Sequence, residues 1–248
     1  MVSRRELLRG AFGTAVGTAA GLGAVLPTAA DAAEPRRHVI GYSYLGRAIV
    51  AYRLGRADAR SRYLVLGSMH GDEPVGHRLA VHRLVREQAP PGVQLWVVPT
   101  MNPDGLAAHT RTNARGVDLN RNFPSSDWTL QGAGTRYWSG PAPASERETR
   151  VMVRFLSDLV PHTIVSIHQP LACVDFSGGD RSATRWLADR LHLPAKTLGA
   201  SGGNLTAWFN DAFPRQTALT LELAAHVGAD RVSEVADVLV RHAARRRG

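Results

Sequence analysis

Residues suited to binding a metal lie where three apolar runs of the sequence end. His70 and Glu73 follow the first run, in the stretch GSMHGDEPVG. His168 ends the second run, and Glu222 lies near the end of the third. A catalytic zinc ion takes three nitrogen or oxygen ligands and keeps one position open, which two ligands from one turn and a third from a distant strand can satisfy. Either histidine taken alone also fits a hydrogen-bonded loop or strand end, so the prediction depends on their coincidence.

A second cluster of functional side chains occurs in the loop TRTNARGVDLNRNFP, residues 110–124. Its arginine and asparagine side chains are Arg111, Asn113, Arg115, Asn120, Arg121 and Asn122. A guanidinium fork binds a carboxylate through two hydrogen bonds, and a neighbouring amide can donate to the same anion. Another arginine of the loop can stabilise an oxyanion. A merely solvated basic loop has no need of Asn-Arg-Asn followed by Phe-Pro, so we expect this loop to bind anions.

The segments between these residues predict an α/β protein. The predicted strands are two around the turn at Gly46 (within 38–54), 62–69, 93–99, 162–168 and 216–223. The predicted helices are 74–88, one that begins at a capping box of Ser145 and Glu148, and a last one that includes 232–239. Alternating strands and helices favour a sandwich with a mixed or largely parallel sheet. In such sheets, sites gather at the carboxyl ends of the strands.

The first 32 residues are expected to be an export signal rather than part of the fold. MVSRRELLRG is basic, a run of small apolar residues follows it, and Ala30–Ala32 offers a cleavage site. The pair Arg4–Arg5 resembles a twin-arginine signal, and a general secretory signal is the alternative. The apolar run is too short and too rich in glycine for a membrane span. We therefore expect a single mature domain, residues 33–248, that works outside the cytoplasm, in the cell wall or a periplasm-like space.

Charge and cysteine content restrict the possible partners further. The formal net charge is +9, which fits either a solvated basic surface or electrostatic association with an anionic cell-wall polymer. No nucleic-acid-binding motif accompanies the basic residues. Cys173 is the single cysteine, so no intramolecular disulfide can form. We expect it to be a small buried residue rather than a nucleophile.

Four motifs together resemble the zinc metallocarboxypeptidases of the carboxypeptidase A type. They are HGDE at 70–73, GVDLNRNFP at 116–124, SIH at 166–168 and LEL at 221–223, in the order of that family. The resemblance covers nearly all of the predicted mature chain. It implies a three-layer α/β/α sandwich around a mixed, largely parallel twisted sheet, one zinc ion per chain, and hydrolysis of peptides.

The resemblance also implies a role for the residues at the strand ends. His70, Glu73 and His168 are expected to bind the zinc ion. Glu222 is expected to take a proton from the attacking water, whose pKa the metal lowers, and to pass it to the leaving amine. These roles agree with the metal-binding prediction made from the strand ends.

The anion-binding loop takes its roles from the same resemblance. Arg111 is expected to stabilise the oxyanion, and Asn120 and Arg121 are expected to hold the terminal carboxylate of the substrate, which makes the enzyme an exopeptidase. Larger members of the family place a tyrosine on a mobile loop over the site, and GASGGNLTAWFND has none. Trp208 and Phe209 are candidates for closing over the substrate instead.

Within the family, the segment HQPLACVDF and the short interval between Glu73 and His168 resemble the murein peptide amidases. That branch cleaves the γ-D-glutamyl–meso-diaminopimelate bond of cell-wall peptides. Asp175 would then bind the second ammonium group of diaminopimelate, or else hold a turn, and Asp72 either orients a metal ligand or begins a helix. Two other functions stay open, a general carboxypeptidase for ordinary peptides and a cell-wall-binding protein without turnover.

Overall fold

One eight-stranded mixed sheet forms the centre of the computed structural model, which describes residues 34–175, 177–199 and 201–245. The strands are β1 (Arg36–Tyr42), β2 (Ala48–Leu54), β3 (Ser61–Ser68), β4 (Val93–Thr100), β5 (Thr163–His168), β6 (Leu171–Asp175), β7 (Ala195–Lys196) and β8 (Thr217–Ala224). Their order across the sheet is β1-β2-β4-β3-β5-β8-β6-β7. The four central strands β4, β3, β5 and β8 are parallel, so their carboxyl ends share one edge. The predicted export signal lies outside the described residues.

Helices cover both faces of the sheet and complete three layers. They are α1 (Val75–His82), α2 (Pro103–Ala108), α3 (Arg147–Leu159), α4 (Arg181–Leu191), α5 (Leu205–Ala212) and α6 (Ala229–Arg245). One buried cluster joins the sheet to α1, α4 and α6. The second joins it to α3 and α5. The predicted α/β class and its three layers are confirmed.

The sequence of β3 explains how the sheet serves both clusters. Side chains alternate between the two faces of a strand. Tyr63 and Val65 therefore join the cluster with α1, α4 and α6, and Leu64 and Leu66 join the other. A strand buried on both faces reads as a continuous apolar run. Because both faces of β3 are buried, the position of its carboxyl end is fixed, and His70 follows that end.

Two predicted helices begin at the expected places but differ in detail. Helix α1 ends at His82 rather than near Gln88, because the backbone of Arg83 leaves the helical region (φ −123°, ψ −71°) and a 3₁₀ turn follows at Leu84–Arg86. Helix α3 begins after Ser145, as predicted, but without the expected capping box. The Ser145 hydroxyl instead donates to Glu146 (2.9 Å).

Glu148 has a different role from the cap that was predicted for it. Its carboxylate accepts hydrogen bonds from the backbone N–H of Tyr44 (2.8 Å) and from Asn113 Nδ2 (3.2 Å). Glu148 therefore ties the turn between β1 and β2 to the predicted anion-binding loop. None of the helices in the described part of the chain combines the length and the apolar character that crossing a membrane requires.

Candidate metal centre and active site

Two histidines and a glutamate converge at the carboxyl edge of the sheet. His70 follows β3, His168 ends β5, and Glu73 precedes α1. Because β3 and β5 are adjacent and parallel, their ends bring the two imidazoles together. His70 Nδ1 lies 2.8 Å from Glu73 Oε1, His168 Nδ1 lies 3.0 Å from Glu73 Oε2, and the two Nδ1 atoms are 3.2 Å apart. All three side chains are buried.

This donor set fits a zinc ion. One ligand atom from each of the three residues lies within 4.8 Å of the others, and two imidazoles with one carboxylate are ligands that catalytic zinc takes. The second nitrogen of each ring is also engaged. His70 Nε2 lies 3.0 Å from Asp118 Oδ1, and His168 Nε2 lies 3.1 Å from the Ser166 hydroxyl. Such partners orient the rings so that each Nδ1 faces the shared centre.

Asp118 is a site residue that the sequence reasoning missed. It is fully buried, and its Oδ2 accepts from Arg111 Nε at 2.9 Å while Oδ1 contacts His70. In the sequence, Asp118 could have been recognised as the single acidic residue among the amides and arginines of GVDLNRNFP. Asp72, which was considered for the role of orienting a ligand, pairs instead with Arg136 at 2.8 Å. Asp118 is therefore the acid that links the metal ligands to the anion-binding loop.

The turn that carries His70 and Glu73 is locked by its neighbours. A side chain at Gly71 would collide with the backbone carbonyl of Gly105, and the N–H of Gly71 donates to Thr110 O at 2.8 Å. The Ser68 hydroxyl donates to the carbonyl of Glu73 at 2.7 Å. This close backbone approach requires glycine and keeps the turn against the anion-binding loop.

Arg111 lies beside the metal ligands, where the resemblance predicts an oxyanion-stabilising group. Besides its hydrogen bond to Asp118, its Nη1 contacts Glu73 Oε1 at 3.1 Å. Its guanidinium also lies over the ring of Tyr137, 5.2 Å from the centroid. Tyr137 is half exposed and lines the same cavity as Arg111. Tyr137 is a second residue that sequence reasoning missed, because its loop shows no periodic pattern.

Glu222 faces the metal ligands from the next strand. In the register of β5 with β8 it lies directly beside His168, and its Oε2 accepts from the N–H of Leu171 at 3.3 Å. Burial raises the pKa of the Glu222 carboxyl, against the opposing influences of His168 and of the Leu171 N–H. A partly dehydrated carboxylate of this kind is a better proton acceptor than an exposed one.

Hydrogen bonds with their neighbours pull the pKa values of the other site groups away from their usual ranges. Burial alone would raise the pKa of Glu73, but hydrogen bonds with His168 and His70 hold it well below its usual range. Burial would likewise raise the pKa of Asp118, and its hydrogen bond with His70 holds that pKa low. For His70, burial would lower the pKa, and the bonds to Asp118 and Glu73 raise it instead.

Asn120 and Arg121 lie on a 3₁₀ turn that Asp118 caps. Asp118 Oδ1 accepts from the N–H of Asn120 at 2.9 Å. Asn120 Oδ1 in turn accepts from the N–H of Leu205 at 3.1 Å, which leaves the amide Nδ2 as the donor of that side chain. Arg121 Nη1 donates to the carbonyl of Asn120 at 2.7 Å. The pair thus presents an amide donor and a guanidinium to the cavity.

All eight predicted site residues line one cavity of about 440 Å³. They are His70, Glu73, Arg111, Asn120, Arg121, His168, Asp175 and Glu222. Asp175 also holds a turn, since its Oδ1 accepts from the N–H groups of Ser177 (3.0 Å) and Leu198 (3.1 Å). Asp175 therefore holds the predicted turn while it lines the cavity, so the turn does not exclude the predicted contact with an ammonium group.

Trp208 and Phe209 do not close over the cavity. Both are buried in the core cluster with α3 and α5, where Trp208 stacks on Phe123 with ring centroids 5.6 Å apart. The expectation was wrong because the apolar face of α5 points into the core. Cys173 is buried as expected, and its burial raises the pKa of the thiol.

Comparison with known proteins identifies relatives of this arrangement. Residues 29–184 match the zinc carboxypeptidase family, a range that includes the three candidate metal ligands but ends before Glu222. Murein peptide amidase A of Escherichia coli K12 is 32% identical over 185 residues, which cover 69% of this chain and 75% of the relative. Murein peptide amidase A of Vibrio campbellii is 33% identical over 169 residues, 62% of this chain and 65% of the relative.

A solved structure agrees with these sequence matches. The crystal structure of murein-tripeptide amidase from Escherichia coli O157 superposes with a TM-score of 0.72 at 26% sequence identity. The superposition covers 85% of this chain and 92% of the other. This coverage is larger than the share of the chain in residues 29–184, so the structural likeness extends beyond the range of the family match.

Proposed function

Because the chain belongs to the zinc carboxypeptidase family, we propose that this metallopeptidase hydrolyses the γ-D-glutamyl–meso-diaminopimelate bond of peptidoglycan-derived peptides. The similarity to murein peptide amidases in sequence and fold supports this class of substrate. The observation that carries the proposal is the single cavity, which combines a metal-binding set, a buried carboxylate and an anion-binding pair.

The anion-binding pair determines where the substrate is cut. Arg121 and the amide of Asn120 bind the carboxylate next to the scissile bond, as a guanidinium and an amide can do together. A peptide without a terminal carboxylate at that place loses these contacts. The enzyme therefore removes one residue from a chain end rather than cutting within the chain.

Glu222 and Arg111 carry the proton transfer and the charge stabilisation. His70, Glu73 and His168 would hold the zinc ion, which would supply a Lewis acid and lower the pKa of water toward about 7. The Glu222 carboxylate takes the proton from the attacking water and delivers it to the leaving amine. The Arg111 guanidinium stabilises the negative charge that develops on the former carbonyl oxygen.

Asp175 provides a contact that suits diaminopimelate. This amino acid carries a second ammonium and a second carboxylate at the far end of its side chain. Asp175 lines the cavity that Asn120 and Arg121 share, and its Oδ1 is fixed by backbone donors. A fixed carboxylate at the cavity wall can pair with the second ammonium.

The place of action follows from the sequence and extends the proposal. The twin-arginine or general secretory signal predicted in residues 1–32 would deliver the enzyme to the cell wall or a periplasm-like space, where peptidoglycan peptides occur. The full chain has a net charge of +9, and the +8 that remains after removal of residues 1–32 would favour association with anionic wall polymers. Detection of the native protein in cell fractions, before and after deletion of residues 1–32, tests this location.

A substrate panel tests the reaction. The zinc-loaded mature protein is incubated with L-Ala-γ-D-Glu-meso-diaminopimelate and with α-linked peptides of equal length, and products are identified by mass spectrometry. We expect release of diaminopimelate and much slower cleavage of the α-linked peptides. Faster cleavage of the α-linked peptides would instead indicate a general carboxypeptidase. Wall binding that survives zinc removal, without hydrolysis of any peptide, would indicate a non-catalytic protein.

The role of Glu222 has its own test. Glu222→Gln is expected to keep one zinc ion per chain and to lower kcat by about 100-fold or more, since general base catalysis contributes factors of that size. The exposed Glu34 offers a matched control, and Glu34→Gln should keep full activity. Retained turnover in Glu222→Gln would refute the assignment.

A further inference from the structure

A groove of about 650 Å³ adjoins the catalytic cavity. Its lining includes Asp72, His109, Arg111, Arg115, Arg136 and Trp138. Arg111 lines the catalytic cavity as well, so the two depressions meet at the residue that contacts Glu73. A substrate whose scissile bond lies at the metal ligands can therefore extend past Arg111 into the groove.

The groove does not include the proposed carboxylate anchor. Asn120, Arg121 and Asp175 line the catalytic cavity but not the groove. Under the proposed function, on which this inference rests, the leaving amino acid occupies the cavity with Arg121. The acyl half of the substrate then extends past Arg111 and into the groove.

Among the arginines of the groove, Arg136 has the most exposed side chain, at 55% against 41% for Arg115 and 13% for Arg111. Arg111 is held by Asp118 (2.9 Å) and Glu73 (3.1 Å), which are both buried. Arg115 lies 3.7 Å from the buried Glu146. Arg136 instead pairs with Asp72 at 2.8 Å, with exposed side-chain fractions of 55% and 32%. Exposed pairs of this kind add little stability, so a ligand carboxylate can replace or join Asp72 at small cost.

The γ-linkage of the proposed substrate supplies such a carboxylate. In a γ-glutamyl amide the side-chain carbonyl forms the scissile bond, and the α-carboxylate stays free on the acyl side. An α-linked peptide uses its α-carbonyl in the scissile bond, so it has no free α-carboxylate on the acyl side and carries a carboxylate there only where the side chain of that residue is acidic. We propose that Arg136 binds the free α-carboxylate of the glutamyl residue and thereby selects γ-linked substrates. The ring centroid of the neighbouring Tyr137 lies 5.7 Å from the Arg136 guanidinium. This contact restricts the positions that the Arg136 side chain can take.

Two substrates that differ only in this carboxylate test the inference. They are L-Ala-γ-D-Glu-meso-diaminopimelate and the same peptide with the glutamyl α-carboxylate converted to an amide. We expect kcat/KM of the wild-type enzyme to be about 10-fold higher for the free acid, the size of one charge-assisted hydrogen bond at a partly exposed site. Arg136→Gln should lose this preference while cleaving the amide form at the wild-type rate. Arg136→Lys should keep part of the preference.

The control is Arg154→Gln, since Arg154 is an exposed arginine on α3, and it should leave both rates unchanged. Equal rates of the wild-type enzyme on the two substrates, or an equal loss on both in Arg136→Gln, would overturn the role of Arg136. The proposed function would survive that result, because both substrates contain the γ-D-glutamyl bond. Failure of the wild-type enzyme to cleave either substrate would overturn both proposals.

Discussion

The carboxylate of Asp118 holds the imidazole of His70, with 3.0 Å between Oδ1 and Nε2. Its other oxygen lies 2.9 Å from Nε of Arg111. One buried acid thus sets the orientation of a candidate metal ligand and of the candidate oxyanion-stabilising arginine. A change at Asp118 is therefore expected to affect metal binding and catalysis together.

Asp118→Asn should lower zinc affinity by about 10- to 100-fold, the usual effect of losing a carboxylate behind a metal-bound histidine. The amide keeps the shape of the side chain but loses its charge, so His70 and Arg111 are both held less firmly. Competition with a chelator measures the affinity. With zinc at saturation, kcat/KM should still be lowered, because Arg111 has lost its charged partner.

A matched change at an exposed acid separates this effect from a general change of charge. Asp58 forms a surface pair with Arg56, and Asp58→Asn should leave zinc affinity and kcat/KM unaltered. If Asp118→Asn bound zinc as tightly as the wild-type protein, Asp118 would have no part in holding His70 for the metal.

The sequence was sufficient to predict the residues at the strand ends, but not those that support them. His70, His168 and Glu222 were predictable because the carboxyl ends of adjacent parallel strands meet by geometry alone. Asp118 and Tyr137 lie in a long loop, whose path depends on backbone contacts such as the hydrogen bond from the N–H of Gly71 to the carbonyl of Thr110. The loop sequence has no hydrophobic periodicity, so those contacts cannot be predicted from it.

The orientation of helix α5 was likewise not predictable from its sequence. Trp208 was expected at the cavity because its segment, GASGGNLTAWFND, corresponds to the mobile loop of larger family members. The side chain of Trp208 lies in the core because α5 packs its apolar face on the sheet. This packing includes the contact of Trp208 with Phe123, which belongs to a loop distant in sequence. A short helix contains too few turns for its sequence to show which face is buried.

The stability of the metal-free protein is expected to depend on pH through His70. Its pKa is raised, because the bonds to Asp118 and Glu73 outweigh burial. Protonation of His70 therefore stabilises the metal-free fold below the unfolded pKa of about 6.5, and this contribution is lost as the pH rises through the folded pKa. Glu73 and Asp118, whose pKa values are lowered, contribute above about pH 4, and their contribution is lost as the pH falls.

We therefore expect the Tm of the chelator-treated protein to fall between pH 5.5 and pH 8.5. Zinc should reverse this trend, because it binds deprotonated imidazole and its stabilising effect grows with pH. Thermal unfolding at three pH values, with a chelator and with excess zinc, measures both effects. A Tm of the metal-free protein that stays level or rises over this range would contradict the predicted linkage.

Gly203 is expected to be essential for the position of Arg121. It has φ +80°, and a Cβ there would collide with the carbonyl oxygen of Arg121. Gly203→Ala should displace that arginine and raise KM for the substrate, with a fall in kcat/KM of about 10-fold if the loss equals one charge-assisted hydrogen bond. Gly92→Ala is the matched control, because Gly92 has φ +76° and no atom near its Cβ position. Both variants should lose about 1 kcal/mol of stability from backbone strain at positive φ, and Gly203→Ala should lose more because of the collision. Equal KM values would contradict the prediction.

Tyr137 is expected to act through its ring, which faces the guanidinium of Arg111 at 5.2 Å. Tyr137→Leu should lower kcat/KM about three- to tenfold, since a cation–π contact at a partly exposed site contributes about 0.5–1 kcal/mol or somewhat more. Tyr137→Phe should keep most of the activity, because the ring remains. Tyr44→Leu removes a similar contact with Arg115 at 5.7 Å and should have no effect, since Tyr44 does not line the cavity. If Tyr137→Phe were as impaired as Tyr137→Leu, the phenol hydroxyl rather than the ring would be the group that matters.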